Sequence, residues 1–272
     1  MRYRLREARW ARRLIANIRH GPTFYSQKER NFWYLYVEVF WVAVLSAAAS
    51  FNATYALRLG ASNAMVGWLS SIPALIAMII LIPSARFLER KSKRTPWILW
   101  SLFVGRLAFL GTVIFPWLFE ARQAEAVVWL LILRTIPLTF FNAGFSPMLA
   151  DIIPERDRAR VFANRNIILS ATTAAATFIA GWWLERTTRI RWAAFPVNYQ
   201  VVYFFGGVGA LMSVFYLFKL KAPPSKVIRR QKQLKIGKVT FPKIKKAFNG
   251  MLTENREFVR LTLNTLVFNL GA

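Results

Sequence analysis

The sequence contains no cysteine and a single histidine, His20, among its 272 residues. Without cysteine there are no disulfide bonds and no thiolate metal sites. One histidine in the N-terminal arm does not build a histidine-based catalytic or metal centre alone. Acidic residues are also scarce, since 12 Asp and Glu stand against 38 Lys and Arg, for a formal net charge of +26. No metal ion and no cofactor is therefore expected.

Apolar residues make up 56% of the chain and aromatic residues 15%, and that apolar share is above the usual range for a soluble domain. A basic chain can bind nucleic acid, so the position of the charge decides between the classes. The lysines and arginines cluster between long apolar runs and almost vanish inside them. This distribution is typical of a membrane protein. The lipid bilayer is therefore an expected partner, and nucleic acid is not.

Six apolar runs reach the length of a transmembrane helix, which needs about 20 residues. They lie at about residues 32–57, 64–88, 96–118, 126–150, 161–184 and 199–218. The sequence therefore predicts an all-α membrane protein with a six-helix transmembrane bundle over residues 32–218.

The loop between the second and third runs, 84–96, indicates the sidedness of every span. It is too short for anything but a hairpin between two membrane-spanning helices, and its dense positive charge places it in the cytoplasm. Most of the 38 Lys and Arg then fall in inner segments, at 1–31, 86–95, 151–160 and 219–256. We therefore expect an integral protein of the cell (inner or plasma) membrane with a cytoplasmic N-terminus.

The same loop carries a motif, Ala85-x-Phe87-x-Glu89-Arg90-x-Ser92-Lys93-Arg94. It resembles the signature G-x-L-x-D-R-x-G-R-K of the major facilitator superfamily, which lies between helices 2 and 3 of that family. The acid, the following arginine and the terminal basic pair match in place. Ala85 and Ser92 stand where the family has glycine, and Glu89 replaces the aspartate.

Two further stretches resemble the same family. Leu130-x-x-x-Arg134 resembles the opening of the helix-4 motif L-x-x-x-R-x-x-Q-G, with Pro137 and Leu138 where the family has Gln and Gly. The charged segment 151–160 is similar to the family's loop between helices 4 and 5.

The resemblance implies the N-terminal six-helix half of a secondary transporter, which moves a small-molecule substrate by alternating access. Residues 1–31 are then a basic cytoplasmic arm and 219–257 a basic cytoplasmic linker. The stretch 258–272 looks like the start of a seventh transmembrane helix. At 1.5 Å per residue it reaches only about 22 Å of the roughly 30 Å hydrocarbon core. The seventh helix is thus expected to be truncated and a C-terminal half to be missing.

Polar and charged side chains inside the spans are candidates for the substrate or ion pathway: Asn52, Arg106, Arg134 and Asn142. A charge at the bilayer centre costs at least about 2.5–3.5 kcal/mol, so it is a functional candidate by default. Arginines in a cavity favour an anionic or carboxylate-bearing substrate. In the family, the arginine that matches Arg134 is associated with proton coupling. The alternative is structural: Arg106 or Arg134 bonds helix carbonyls or pairs with Glu38, and for Glu38 this role is favoured.

Charged residues of the two inner loops are candidates for conformational gating: Glu89, Arg90, Arg94, Asp151 and Glu155. Arg90 or Arg94 is expected to pair with Asp151 or Glu155 and so to favour one conformation. A second class of function stays open, namely a membrane-embedded structural subunit or a polytopic membrane enzyme without transport activity. An enzyme would cluster His, Asp or Ser at one membrane face. The acidic residues here are few and stand among basic ones at the loops, so the chain is expected not to be an enzyme.

Overall fold

The computed structural model describes residues 26–91, 93–188 and 190–221. The predicted linker from residue 222 on, the predicted seventh helix and the first 25 residues of the arm lie outside this part of the chain. Within it, six helical segments are long and apolar enough to cross a membrane. The prediction of an all-helical protein with six spans is confirmed.

Eight α-helices build the six spans. The first span combines α1 and α2 and the fourth combines α5 and α6, whereas each other span is a single helix. The helices are α1 (Gln27–Ala49), α2 (Asn52–Arg58), α3 (Asn63–Glu89), α4 (Thr95–Leu118), α5 (Gln123–Leu133), α6 (Thr135–Ile152), α7 (Glu155–Thr187) and α8 (Val197–Phe218). Short 3-10 turns at Glu120–Arg122 and Arg191–Ala193 precede the fourth and sixth spans.

Two spans begin earlier than the hydrophobic pattern predicts. The first begins at Gln27 because the Ser26 hydroxyl accepts a hydrogen bond from the Glu29 amide, at 3.4 Å, as an N-cap does. The fifth begins at Glu155 directly after Pro154. The acidic residues in its first turn stabilise this start because they interact favourably with the positive end of the helix dipole. The predicted loop 151–160 therefore shortens to a turn, and most of its charges lie on helix.

The spans pack in the order fifth, first, sixth, third, fourth, second. If span 1 is exchanged with span 4, span 2 with span 5 and span 3 with span 6, the same packing order results, read from its other end. The first span packs on the fifth as the fourth packs on the second, and the third and sixth pack on each other. The packing pattern of the bundle thus has a pseudo-twofold symmetry that relates spans 1–3 to spans 4–6.

Glycines of α8 bring the first and sixth spans into close contact. A Cβ added at Gly206 would lie 2.5 Å from the Cβ of Ala48, and one at Gly209 would lie 2.9 Å from the carbonyl oxygen of Trp41. Small residues at such crossings let helices associate where no hydrophobic effect drives them together. By contrast α3 and α7, at the two ends of the packing order, have few buried residues.

Candidate functional site

The first and the fourth spans are interrupted. These two spans correspond to each other under the pseudo-twofold symmetry of the packing. In the fourth, Arg134 separates α5 from α6, because Pro137 has no N–H to bond the Leu133 carbonyl. In the first, Ser50–Phe51 separates α1 from α2, and the Ser50 hydroxyl donates to the Ser46 carbonyl at 3.0 Å. Ser50 and Arg134 keep helical dihedral angles (φ −61°, ψ −21° and φ −60°, ψ −17°), so each interruption is a local break in the hydrogen bonding of one continuous span.

Asn52 begins the helix after the first interruption and contacts a cluster of buried tyrosines. The Tyr203 hydroxyl donates to the side-chain oxygen of Asn52 at 2.7 Å. Tyr203 and Tyr55 are fully buried, with ring centroids 4.8 Å apart, and Tyr199 stacks on Tyr55 at 5.3 Å. The Tyr55 hydroxyl donates to the carbonyl of Thr112 at 3.4 Å. Asn52 is thus held by the sixth span, whose tyrosines pack on the third.

Arg134, at the second interruption, reaches the same cluster through an aromatic ring. Its guanidinium lies 4.9 Å from the ring centre of Phe109, a cation–π distance. Phe109 in turn lies 5.4 Å from the Tyr203 ring. The structure therefore brings together two of the residues predicted from sequence, Asn52 and Arg134, on either side of Tyr203 and Phe109.

Arg106 lies beside this cluster on α4 and is buried. Its Nε is buried and has no hydrogen-bond partner among the residues that the structure describes. Arg106 lies one helical turn from Phe109 on the same helix, and the Arg134 guanidinium contacts the Phe109 ring. The preceding residue, Gly105, leaves room for Pro137 of the interrupted fourth span, 3.6 Å from where a Cβ would be. Arg106 and Arg134 therefore place two positive charges in one region of the bundle.

Glu38 forms a buried ion pair with Arg165, at 2.7 Å between Oε2 and Nη1. The same Nη1 donates to the Leu35 carbonyl at 2.7 Å, and the guanidinium lies 5.7 Å from the ring centre of Phe145. The pair joins the first span to the fifth against the fourth. Of the suggested roles, pairing of Glu38 with Arg106 or Arg134 is wrong, because Arg165 holds the carboxylate directly.

Arg165 was not singled out from the sequence, because it lies only four residues into the predicted span 161–184, where a long basic side chain can reach the membrane surface. The helix that begins at Glu155 carries it about 15 Å inward, at 1.5 Å per residue. The signal that could have revealed it was Glu38 itself, since a carboxylate inside a span requires a basic partner.

Asn142 lies apart from these contacts. It is exposed on α6, and the structure shows no hydrogen bond from its side chain to any described residue. Its predicted place in a substrate or ion pathway stays a prediction.

The residues predicted to gate the conformation divide into paired and unpaired groups. Arg94 is buried, pairs with Asp151 and donates to the Pro147 carbonyl at 3.4 Å. Glu155 instead lies 3.9 Å from Arg158 on its own helix. Glu89 and Arg90 are exposed and form no ion pair with any residue of the described ranges.

A further pair on the same face was not anticipated. The Lys28 ammonium lies 2.6 Å from the Asp157 carboxylate and ties the start of the first span to the start of the fifth. Within the residues that the structure describes, no group of three or more His, Asp or Glu could hold a metal ion.

The comparisons with known proteins agree with this architecture. A family model for the Major Facilitator Superfamily matches residues 35–270. Searches of curated proteins and of solved structures returned no significant match. Members of the family are secondary transporters and are generally not enzymes. With six membrane-length helices and a match over most of its length, the chain belongs to the major facilitator superfamily.

Proposed function

We propose that the protein transports a small anionic solute by alternating access, and that Arg106 and Arg134 bind its negative charge. The observation that carries this proposal is the charge balance inside the described spans. Four charged side chains lie about 15 Å or more from the nearest end of their span: Glu38, Arg106, Arg134 and Arg165. Three are cationic and one is anionic, and the single carboxylate is bound to Arg165.

Arg106 and Arg134 therefore lack a matching carboxylate among the described residues. Keeping two neighbouring cations inside a membrane costs several kcal/mol, a cost that a bound anion would offset. Guanidinium groups bind carboxylates and phosphates with a pair of parallel hydrogen bonds. Asn52, at the other interruption, is placed to contact the uncharged part of the same solute, and Asn142 is a further candidate along the route.

Alternating access requires two bundles that rock about a central site. We propose that a second six-helix bundle, the C-terminal half of the transporter, completes the described one, with 258–272 as the start of its first helix. The helices α3 and α7 support this, because they lie at the two ends of the packing order and have few buried residues. They offer surfaces on which such a bundle could pack, and for α7 we propose the face that points away from α8, which leaves the gap between α7 and α8 uncovered.

We propose further that the pairs near the helix ends favour one conformation of this cycle. Arg94 with Asp151 joins the start of the third span to the end of the fourth. Because Arg94 is buried and Asp151 is only partly exposed, breaking the pair leaves a desolvated charge without its partner, so the pair stabilises the conformation in which it forms. Glu89 and Arg90 lie at the end of the second span and Glu155 at the start of the fifth, and all three are exposed. They are the candidates to form new pairs when the bundles rock.

The proposed orientation places the N-terminus, the loop 84–96 and the linker 219–257 in the cytoplasm of a cell whose plasma membrane holds the protein. The chain has no cysteine of its own, so single introduced cysteines report sidedness without background. In intact cells, a membrane-impermeant maleimide is expected to label Ser62→Cys and not Ser92→Cys. Labelling of position 92 from outside would reverse the orientation and with it the proposed placement of the gating residues.

Uptake into proteoliposomes of the intact protein tests the substrate class. A panel should contain small carboxylates, phosphate esters, neutral sugars and amines of similar size, each radiolabelled. We expect uptake of an anionic member, competed by other anions and not by the amines. Uptake confined to cationic or neutral members would refute the assignment of Arg106 and Arg134.

A further inference from the structure

A cavity of about 390 Å³ lies between the first, fifth and sixth spans. Its size falls within the range of about 300–1,000 Å³ that is usual for small-molecule sites. Its lining is apolar or aromatic throughout, with Ala47 from the first span, Ala176 and Ala180 from the fifth, and Gly206 from the sixth. The small side chains on facing helices leave the space that larger residues would fill.

Trp183 closes one end of this cavity. Its indole N–H donates to the Asn198 carbonyl at 3.2 Å, which ties the end of α7 to the start of α8, two helices with few other contacts. A buried water needs two to four polar partners. Of the two lining tryptophans, Trp183 has its indole N–H already bonded and Trp182 offers at most one donor. The cavity therefore suits a hydrocarbon and not water.

The rim of the cavity faces the surroundings of the bundle. Ile179 and Phe205, which line it from the fifth and sixth spans, are 63% and 60% exposed. In a bilayer the apolar groups next to such side chains are lipid acyl chains. An acyl chain can thus enter between α7 and α8.

Positive charge lies beyond the end of this cavity. The Arg186 guanidinium is 5.7 Å from the ring centre of Trp182, another lining residue. Arg186 is exposed and forms no ion pair with any residue that the structure describes. In the sequence, the segment 185–191 contains three arginines and one acidic residue, Glu185. By the charge pattern this segment lies on the outer side of the membrane, where the other loops have few basic residues. Tryptophans at such a position are typical of the membrane–water interface.

We propose that this cavity binds an acyl chain of an anionic phospholipid whose phosphate contacts Arg186. The apolar walls take the chain, and Arg186 at the end of the fifth span selects the headgroup. The site is separate from Arg106 and Arg134 and does not depend on which solute is transported.

Native mass spectrometry of the intact protein tests this, after incubation with phosphatidylglycerol or phosphatidylcholine of identical acyl chains. The wild type is expected to retain phosphatidylglycerol in preference. Ala176→Phe fills the cavity and should lose the bound lipid, whereas Ala175→Phe, an exposed neighbour outside the lining, should keep it. Arg186→Gln should reduce the headgroup preference about fivefold, and Arg122→Gln should leave it unchanged.

Equal retention of the two lipids by the wild type would overturn the proposal. So would unchanged retention in Ala176→Phe, in particular if uptake falls, because the solute or the second bundle would then occupy the cavity. A dimer that Ala176→Phe dissociates, with lipid retention unchanged, would identify a second copy as the occupant. If Ala176→Phe unfolds, Ala180→Leu, which adds less volume to the same wall, decides in its place.

Discussion

Replacing Arg165 with methionine is expected to lower the free energy of unfolding of the bundle by about 3–5 kcal/mol, the usual cost of leaving a buried charge without its partner. Glu38 would keep its carboxylate inside the first span, where Arg165 now holds it at 2.7 Å. Arg106 does not replace the lost partner, because it forms no hydrogen bond to Glu38 and acts on it only at longer range. Unfolding by sodium dodecyl sulfate in mixed micelles measures the change.

The double variant Glu38→Met with Arg165→Met separates a lost charge partner from lost packing. It removes both charges and keeps apolar volume at the junction of the first, fourth and fifth spans, so it should recover most of the stability. Lys28→Met breaks the more exposed pair with Asp157 and should cost less than about 1 kcal/mol. Equal destabilisation in the single and the double variant would show that the ion pair is not what Arg165 contributes.

Replacing Arg134 with glutamine is expected to reduce the uptake efficiency, kcat/KM, for the anionic solute about ten- to a hundredfold. Hydrogen bonds to a charged group contribute about 1.5–3 kcal/mol, and each 1.4 kcal/mol corresponds to a factor of ten. Arg134→Lys keeps the charge but loses the paired hydrogen bonds, so its uptake should lie between. Counterflow in proteoliposomes, with the amount of folded protein normalised, gives the measurement.

Arg122→Gln is the matched control for this loss. Arg122 is 78% exposed and lies 3.8 Å from Glu125 in a short turn, so its removal should change neither uptake nor stability. Unchanged uptake in Arg134→Gln would remove this residue from the pathway. A loss of uptake that accompanies unfolding, with no effect on the KM of the folded fraction, would assign Arg134 a packing role against Phe109.

Much of the fold could be predicted because the membrane restricts the choices. Only helices long enough to satisfy their own backbone cross a bilayer, so apolar runs such as 96–118 and 199–218 locate spans directly. The starts of the first and fifth spans were predicted several residues too late, because hydropathy does not detect the Ser26 cap or the acidic first turn after Pro154. Charged residues that continue a span into water therefore read as loop.

The candidate site was only half visible in the same way. Arg106 and Arg134 stand out because a charge in an apolar run is rare, whereas Tyr55 and Tyr203 do not differ in sequence from ordinary interface aromatics. The contacts of Tyr203 with Asn52 and Phe109 join residues more than ninety positions apart. Such contacts depend on which spans become neighbours, and no local pattern encodes that.

By itself the sequence determined the number of spans, their predicted sidedness and the excess of cations inside them, because hydrophobic length and charge are properties of each segment alone. Only the tertiary structure decided that Arg165 neutralises Glu38, that the interrupted first and fourth spans reach one tyrosine cluster, and that α7 and α8 leave a cavity. The reason is physical: a buried charge is stabilised by whichever opposite charge packing brings within hydrogen-bonding distance, and here the first span packs on the fifth, which lies more than a hundred residues away in the chain.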